Sequence, residues 1–193
     1  FKYQPMEAIL HEMMAVTGGK KAGKESFTDR LTKLEIIGVY SPIGHEMQMP
    51  FSMVLSSVLA KQRRILYINL MQNTGFLQLF DSQAEYDIGD LTLRLRRGTT
   101  ESEQFFQSIY EMGDFSYVAP FRNPEQLGEF QMDDYRKLLA HLEEKTKFDT
   151  VVFDFGAGIP SIAAFLEECS SIYCPVKEGY FYECQKAEFV HYL

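Results

Sequence analysis

The chain has 193 residues, of which 46% are hydrophobic and 24% are charged. This balance is typical of about one globular domain with a full core, and no apolar run approaches the roughly 18 residues of a membrane span. Because 27 acidic residues oppose 19 basic ones, the net charge of −8 argues against non-specific binding of nucleic acid.

The cysteines and the absence of a leader point to a reducing compartment. The sequence has an odd number of cysteines, Cys169, Cys174 and Cys184, and no two of them have CxxC spacing. No signal peptide opens the sequence. We therefore expect reduced thiols in a cytoplasmic protein. This segment is not expected to insert directly into a membrane, and partners are the expected route of any association with one.

The first 33 residues predict a unit separate from the rest. Residues 1–16 carry an apolar stripe at helical spacing, and residues 17–24 open a Gly- and Lys-rich linker that extends to residue 33. This helix either ends a preceding domain that is missing here or docks back onto the domain that follows.

Residues 34–193 alternate strand and helix patterns, which favours a mostly parallel, doubly wound α/β sheet with helices on both faces. Strands are predicted at 36–40, 63–70, 115–119, 150–155 and 171–175, and helices at 49–62, 89–96, 101–112, 132–145, 162–168 and 182–193. We expect this domain to be truncated at its C-terminus, because the chain stops within a predicted helix.

The segment at 41–50, with the letters SPIGHEMQMP, joins the first strand to the first helix. A strand–loop–helix is the setting of a phosphate-binding P-loop, because backbone N–H groups and the helix N-terminus then face one point. This loop, however, has no lysine and a single glycine, Gly44, and no Ser or Thr follows the expected lysine position.

Several phrases in order resemble the MinD/ParA group of deviant-Walker P-loop ATPases, and more narrowly its CpaE/TadZ branch, which serves Flp/Tad pilus assembly. They are YSPIG, ILYINL with NTGF, IGDLTLRL, FDTVVFDFGAG and IYCPVKE. The opening FKYQPMEAIL resembles the end of the receiver-like domain that precedes the ATPase domain in that branch. The resemblance implies a P-loop NTPase fold, with ATP and Mg²⁺ as ligands.

The same resemblance implies a degenerate site. Ile43 falls at the signature lysine that reaches the partner's nucleotide, Gln48 at the phosphate lysine, and Met49 at the hydroxyl that binds magnesium. The implied nucleotide site, vestigial or weak, comprises Ser41, Pro42, Ile43, Gly44, His45, Glu46, Met47, Gln48, Met49, Asn69, Asp154 and Pro175. Asp154 retains the charge of a metal-linked acid and is the implied Mg²⁺ ligand if nucleotide binds.

The other departures concern glycines and carboxylates. His45 and Met47 replace glycines of the family loop, and Asn69-Leu70-Met71 stands where the family has D-L-D. Since phosphoryl transfer depends on fixed positive charge and positioning, hydrolysis is not expected, and no catalytic residue is assigned. ATP and Mg²⁺ are expected to bind weakly or not at all.

Simpler interpretations of these residues remain open. The carboxylate of Glu46 would repel a phosphate. His45 can also be interpreted as a solvated side chain. Asp154 could cap the turn at 156–158, and Pro175 could simply end a strand.

Three functional hypotheses follow. The first is a pseudo-ATPase that localises or assembles a pilus or secretion system through protein contacts; the second is an ATP-binding dimerisation switch; the third is an active ATPase with an unusual loop. A homodimer is expected in the first two. Its apolar surface would comprise Met47, Met49, Phe51 and Met53, unless Phe51 and Met53 belong to the core.

Overall fold

The computed structural model describes residues 34–98 and 105–193, which form an α/β domain around one six-stranded sheet. The helix predicted at 1–16 and the linker predicted at 17–33 lie outside the described residues. So does the part of the helix predicted at 101–112 that covers residues 101–104.

The sheet is parallel except at one edge. Its strands are β1 (Glu35–Tyr40), β2 (Ile65–Leu70), β3 (Ile109–Met112), β4 (Phe115–Val118), β5 (Thr150–Phe155) and β6 (Ser171–Tyr173). They lie in the order β3-β4-β2-β5-β1-β6, and only the β3–β4 pair is antiparallel.

The central strands are apolar runs because helices cover both of their faces. Every residue of β2 and of β5 is buried. The two strands pair in parallel, and Asn69 lies directly opposite Asp154. Both polar residues thus come near the carboxyl ends of neighbouring central strands.

The helices divide between the two faces. They are α1 (Gln48–Ala60), α2 (Phe76–Leu79), α3 (Ile88–Arg97), α4 (Met132–Lys145), α5 (Ile162–Glu167) and α6 (Tyr180–Tyr192), with a 3₁₀ helix at Pro124–Glu129. Apolar residues of α3, α4 and α5 share one core cluster with the sheet. Residues of α1 and α2 belong to a second cluster on the other face. The predicted mostly parallel, doubly wound architecture is therefore confirmed.

One element was predicted wrongly. Residues 109–112 form strand β3 instead of the end of a helix, and β3 pairs with β4 through a hairpin. The connection is the two-residue loop Gly113-Asp114, in which Gly113 has a φ of 59°. A Gly-Asp pair between two apolar segments is a hairpin signal, which the helical interpretation overlooked.

The remaining elements agree with the predictions to within two residues at each end, and two short ones were not foreseen. These are α2 and the 3₁₀ helix, in which Pro124 occupies the first turn and the Asn123 side chain accepts a hydrogen bond from the Glu125 N–H. Such short helices lack the repeated apolar spacing that identifies longer ones.

Candidate functional site

The loop at 41–47 lies where the chain departs from β1 into α1. The neighbouring strand β5 leads to α5, which packs on the opposite face of the sheet. Helices leaving two adjacent strands toward opposite faces create a crevice at their carboxyl ends, the usual place of a ligand site in such sheets. The loop at 41–47 therefore lies at the carboxyl end of the sheet, beside this crevice.

The Gln48 side chain points into the protein from the start of α1 and is 2% exposed. Its Nε2 donates to Asp154 Oδ1 at 2.6 Å and to the Phe155 carbonyl at 2.9 Å, and it lies 3.3 Å from the Val39 carbonyl. Its Oε1 accepts from the Ser41 N–H at 2.8 Å. One amide thus joins the ends of β1 and β5 to the first turn of α1.

Asp154 is fully buried, and both of its oxygens accept hydrogen bonds from uncharged groups. Gln48 donates to Oδ1, and the Tyr67 hydroxyl donates to Oδ2 at 3.0 Å. Burial raises the pKa of the Asp154 carboxyl to about 6, although the hydrogen bonds from Gln48 and Tyr67 act in the opposite direction. The Asp154 side chain is therefore part of the hydrogen-bond network around Gln48, and it does not cap the turn at 156–158.

A chain of hydrogen bonds continues along β2. Asn69 Nδ2 donates to the Tyr67 hydroxyl at 3.2 Å, and Asn69 Oδ1 accepts from the Met71 N–H at 2.9 Å. Sequence reasoning missed Tyr67. The sequence signal for Tyr67 was the alternation of side chains along a strand. Residues two positions apart, such as Tyr67 and Asn69, lie on the same face of that strand.

Ser41 connects this buried network to the segment between β6 and α6. Its Oγ donates to the Pro175 carbonyl at 2.7 Å and accepts from the His45 N–H at 3.0 Å. The resemblance places Pro175 in the nucleotide site; in the structure its carbonyl accepts a hydrogen bond from the loop serine, Ser41. The structure therefore brings together Ser41, Gln48, Asn69, Asp154 and Pro175.

The N–H groups of the loop are largely satisfied within the loop. The Gly44 N–H donates to the Ser41 carbonyl at 3.1 Å, the Met47 N–H to His45 Nδ1 at 3.0 Å, and the Gln48 N–H to the His45 carbonyl at 3.0 Å. In a P-loop, such groups converge on a phosphate. Here they are turned inward, and the half-buried His45 is an internal acceptor rather than a solvated side chain.

Other predicted residues lie apart from the network. The exposed Glu46 forms an ion pair with Lys177, and its pKa is lowered mainly by the hydrogen bond from that lysine. Pro42 and Ile43 are half-buried within the loop.

The four residues predicted as a dimer surface do not form a common exposed face. Met47 is 54% exposed, but Met49 is buried in the cluster beneath α1. Phe51 and Met53 are half-buried against the same cluster, and the Phe51 ring lies 5.8 Å from that of Tyr173. For those two residues the core alternative is correct.

As arranged, these residues do not fit a magnesium–nucleotide complex unless Gln48 moves. The N–H groups of Gly44, Met47 and Gln48 have partners within the loop. The Asp154 oxygens already accept from Gln48 and Tyr67. Among residues 34–98 and 105–193, no group of three or more His, Cys, Asp or Glu side chains is placed to hold a metal ion. Over the same residues, no helix combines the length and hydropathy needed to cross a membrane.

Comparison with known proteins identifies the fold. No family model and no curated protein matches the chain. A ParA family ATPase from Chlorobium tepidum TLS matches with a TM-score of 0.69 and 12% identity, over 83% of this chain and 67% of that one. MinD from Pyrococcus horikoshii OT3, complexed with Mg-ADP, matches with a TM-score of 0.60 and 17% identity, over 82% and 65%. The MinC:MinD complex from Aquifex aeolicus gives a TM-score of 0.62 and 14% identity, over 82% and 63%.

The chain therefore spans about two thirds of the length of these solved chains. It has the architecture of the MinD/ParA P-loop NTPases, in agreement with the prediction from the sequence. At these identities the likeness concerns the fold alone.

Proposed function

We propose that this chain is a MinD/ParA-fold domain of the CpaE/TadZ type that does not hydrolyse ATP. It acts as a localisation or assembly factor for a Flp/Tad-type pilus or secretion system, through dimerisation and protein contacts. ATP and Mg²⁺ bind weakly or not at all, and the Ser41–Met49 loop with Asn69, Asp154 and Pro175 is a vestigial nucleotide site.

The observation that carries the proposal is the hydrogen bond from Gln48 to Asp154. The resemblance places Gln48 where the family has its phosphate lysine, yet this side chain is buried and directed at a carboxylate. A neutral amide supplies no fixed positive charge against the charge that develops on a transferring phosphoryl group. Removing one electrostatic donor of this kind costs about 10²–10³ in rate.

Binding without catalysis is also disfavoured by this arrangement. A phosphate would need the loop N–H groups, and four of them, those of Gly44, His45, Met47 and Gln48, are already hydrogen-bonded inside the loop. It would also approach the carboxylates of Glu46 and Asp154. The assignment to pilus assembly has a separate basis, since it rests on the ordered phrases from YSPIG to IYCPVKE in the sequence.

Calorimetry tests the nucleotide part. ATP is titrated into the protein with and without Mg²⁺, over micromolar to millimolar ligand, and light scattering with gel filtration reports the oligomeric state. We expect no saturable binding below about millimolar ATP, and a dimer that forms in apo protein. Low-micromolar binding that drives dimerisation would overturn the proposal in favour of the ATP-dependent switch.

Phosphate release tests the third hypothesis, an active ATPase. Wild-type protein is compared with Asp154→Ala, and we expect both to match the buffer blank. Release that disappears in Asp154→Ala would identify a real ATPase.

The pilus role is tested in the native host. Deletion of the gene should abolish pilus assembly, and a copy carrying Asp154→Asn, which removes the charge but keeps the side-chain shape, should restore it. Normal piliation after deletion contradicts the assembly role. If the Asp154→Asn protein is present but fails to restore pili, the negative charge of Asp154 is required, and the proposal that the protein does not act as a catalyst is wrong.

A further inference from the structure

Gln48 meets two requirements that a lysine at this position could not meet together. Its Nε2 donates to Asp154 and to the Phe155 carbonyl, while its Oε1 accepts from the Ser41 N–H. A lysine ammonium has three donors and no acceptor, whereas a glutamine amide has both. The link from the β5 end to Ser41 therefore depends on the amide chemistry of residue 48.

Ser41 carries this link to the connection between β6 and α6, residues 174–179. Its hydroxyl donates to the Pro175 carbonyl at 2.7 Å, and its own N–H is held by Gln48. A second contact joins the same two segments on the surface, where Glu46 pairs with Lys177. The connection is thus fixed to the loop by one partly buried and one exposed contact.

Apolar side chains lie in and directly after this connection. Val176 is 39% exposed, Tyr180 is 88% exposed and Phe181 is 69% exposed. Large exposed aromatic side chains are enriched at protein–protein contacts. These side chains thus lie in, or directly follow, the connection that the Ser41 hydroxyl contacts.

We propose that Gln48 is a positioning residue that takes the place of a bound ligand: acting through Ser41, its amide holds the 174–179 connection in one arrangement when no nucleotide is present. This inference rests on the proposed non-catalytic function. It extends that function by making the arrangement of the connection, which contains Val176 and leads to Tyr180 and Phe181, independent of ATP.

The three cysteines provide a way to measure whether the 174–179 connection is held in place. Cys174 lies in the connection, directly before Pro175, whose carbonyl accepts the hydrogen bond from Ser41. Although the residue as a whole is exposed, burial raises the pKa of the Cys174 thiol. Cys184 is exposed on α6, so its alkylation rate is that of a freely accessible thiol. Cys169 packs against the core, so its alkylation rate reports global unfolding of the domain.

The experiment measures alkylation rates of the three thiols in apo protein by peptide mass spectrometry. The variants are Gln48→Ala, Gln48→Met, which preserves side-chain volume, and Ser41→Ala, which leaves the Gln48–Asp154 bond intact. The matched control is Gln62→Ala, a glutamine exposed beyond the other end of α1. We expect Cys174 to react about tenfold faster relative to Cys184 in the first three variants, with Cys169 unchanged, and no change in the control.

Two results would overturn the proposal. An unaltered ratio of Cys174 to Cys184 in Ser41→Ala and Gln48→Met would show that the connection does not depend on the link. A parallel rise at Cys169 would show that the variants only lower global stability. A separate result would show that the proposed function is wrong. If the protein does bind nucleotide, Mg-ATP would slow Cys174 alkylation in the wild-type protein.

Discussion

The side-chain amide of Gln48 lies 2.6 Å from Oδ1 of Asp154, and both residues are buried at the carboxyl end of the sheet. The second oxygen of Asp154 accepts from Tyr67, so the hydrogen bonds to this carboxylate come from uncharged groups. Burying a carboxylate without an opposite charge costs free energy whenever it is ionised. This relationship links the chemistry of the site to the stability of the domain.

The first prediction concerns Asp154 and pH. Because the pKa of Asp154 is raised from 3.8 to about 6 in the folded state, folding favours its protonated form. The stabilisation is complete below the unfolded pKa and is lost as pH rises through about 6, a change of about 3 kcal/mol. Asp154→Asn should remove this loss, so that the free energy of unfolding in urea declines less between pH 4 and pH 7 than in wild type.

The sign of this effect distinguishes Asp154 from other acids in the domain. Asp149 has a lowered pKa because Arg64 hydrogen-bonds to it, so its contribution to stability is lost as pH falls below about 4. Parallel pH profiles for wild type and Asp154→Asn over pH 4–7 would contradict the prediction.

The second prediction concerns Gly156, which ends the strand that carries Asp154. A Cβ at this residue would lie 2.9 Å from the Leu70 carbonyl oxygen and 2.9 Å from the Met71 Cα, both backbone atoms that cannot rotate away. Gly156→Ala should therefore destabilise the domain by about 2–3 kcal/mol. The matched control is Gly128→Ala, where no atom lies within 4 Å of the new methyl group, with an expected change within about 0.5 kcal/mol. Equal unfolding midpoints for the two variants would rule the explanation out.

The third prediction concerns the ion pair between Arg96 on α3 and Asp134 on α4. Burial alone would raise the pKa of Asp134, but hydrogen bonds from Arg96 and the Gln131 N–H lower it overall. Arg96→Ala would leave this carboxylate, whose side chain is 4% exposed, without its two guanidinium hydrogen bonds. Because Arg96 itself is 41% exposed and water can replace part of the interaction, we expect a loss of about 2 kcal/mol.

The matched comparison lies on the same helix. Lys137 pairs with Asp133 at spacing i,i+4, and both side chains are largely exposed. Lys137→Ala should change the free energy of unfolding by less than about 0.5 kcal/mol. The explanation is wrong if Arg96→Ala and Lys137→Ala shift the urea midpoint equally.

The fold was predictable where local pattern and tertiary environment agree. The apolar runs that form β1, β2 and β5 predict buried parallel strands, and their boundaries hold to within two residues. The failure at 109–112 has a definite cause. A short segment with mixed polarity fits a helix extension and a hairpin strand alike, and only the pairing with β4 decides between them.

The arrangement of the site was not predictable from the sequence. The resemblance placed Gln48 at the phosphate lysine and Asp154 at a metal-linked acid, but it did not indicate the hydrogen bond between their side chains. The part played by Tyr67 depends on β2 lying next to β5, a contact between residues 87 positions apart. The alternation of side chains along β2 places Tyr67 on the same face as Asn69, but it does not show that β2 lies next to β5.

The last prediction concerns reversal of the change at residue 48. Gln48→Lys should bring a cation beside Asp154 and lower the pKa of that carboxyl, so that the stability loss toward pH 7 becomes smaller. It should not create an ATPase, because the resemblance assigns further losses to Ile43, Met49 and Asn69, and each such group is worth about 10²–10³ in rate. The lysine also has no acceptor for the Ser41 N–H, so the loop loses the bond that Gln48 makes. Phosphate release is measured for Gln48→Lys and for Gln48→Lys combined with Asp154→Ala, and both should match the blank. Turnover in the single variant that disappears in the double variant would mean that residue 48 alone separates this domain from an active ATPase.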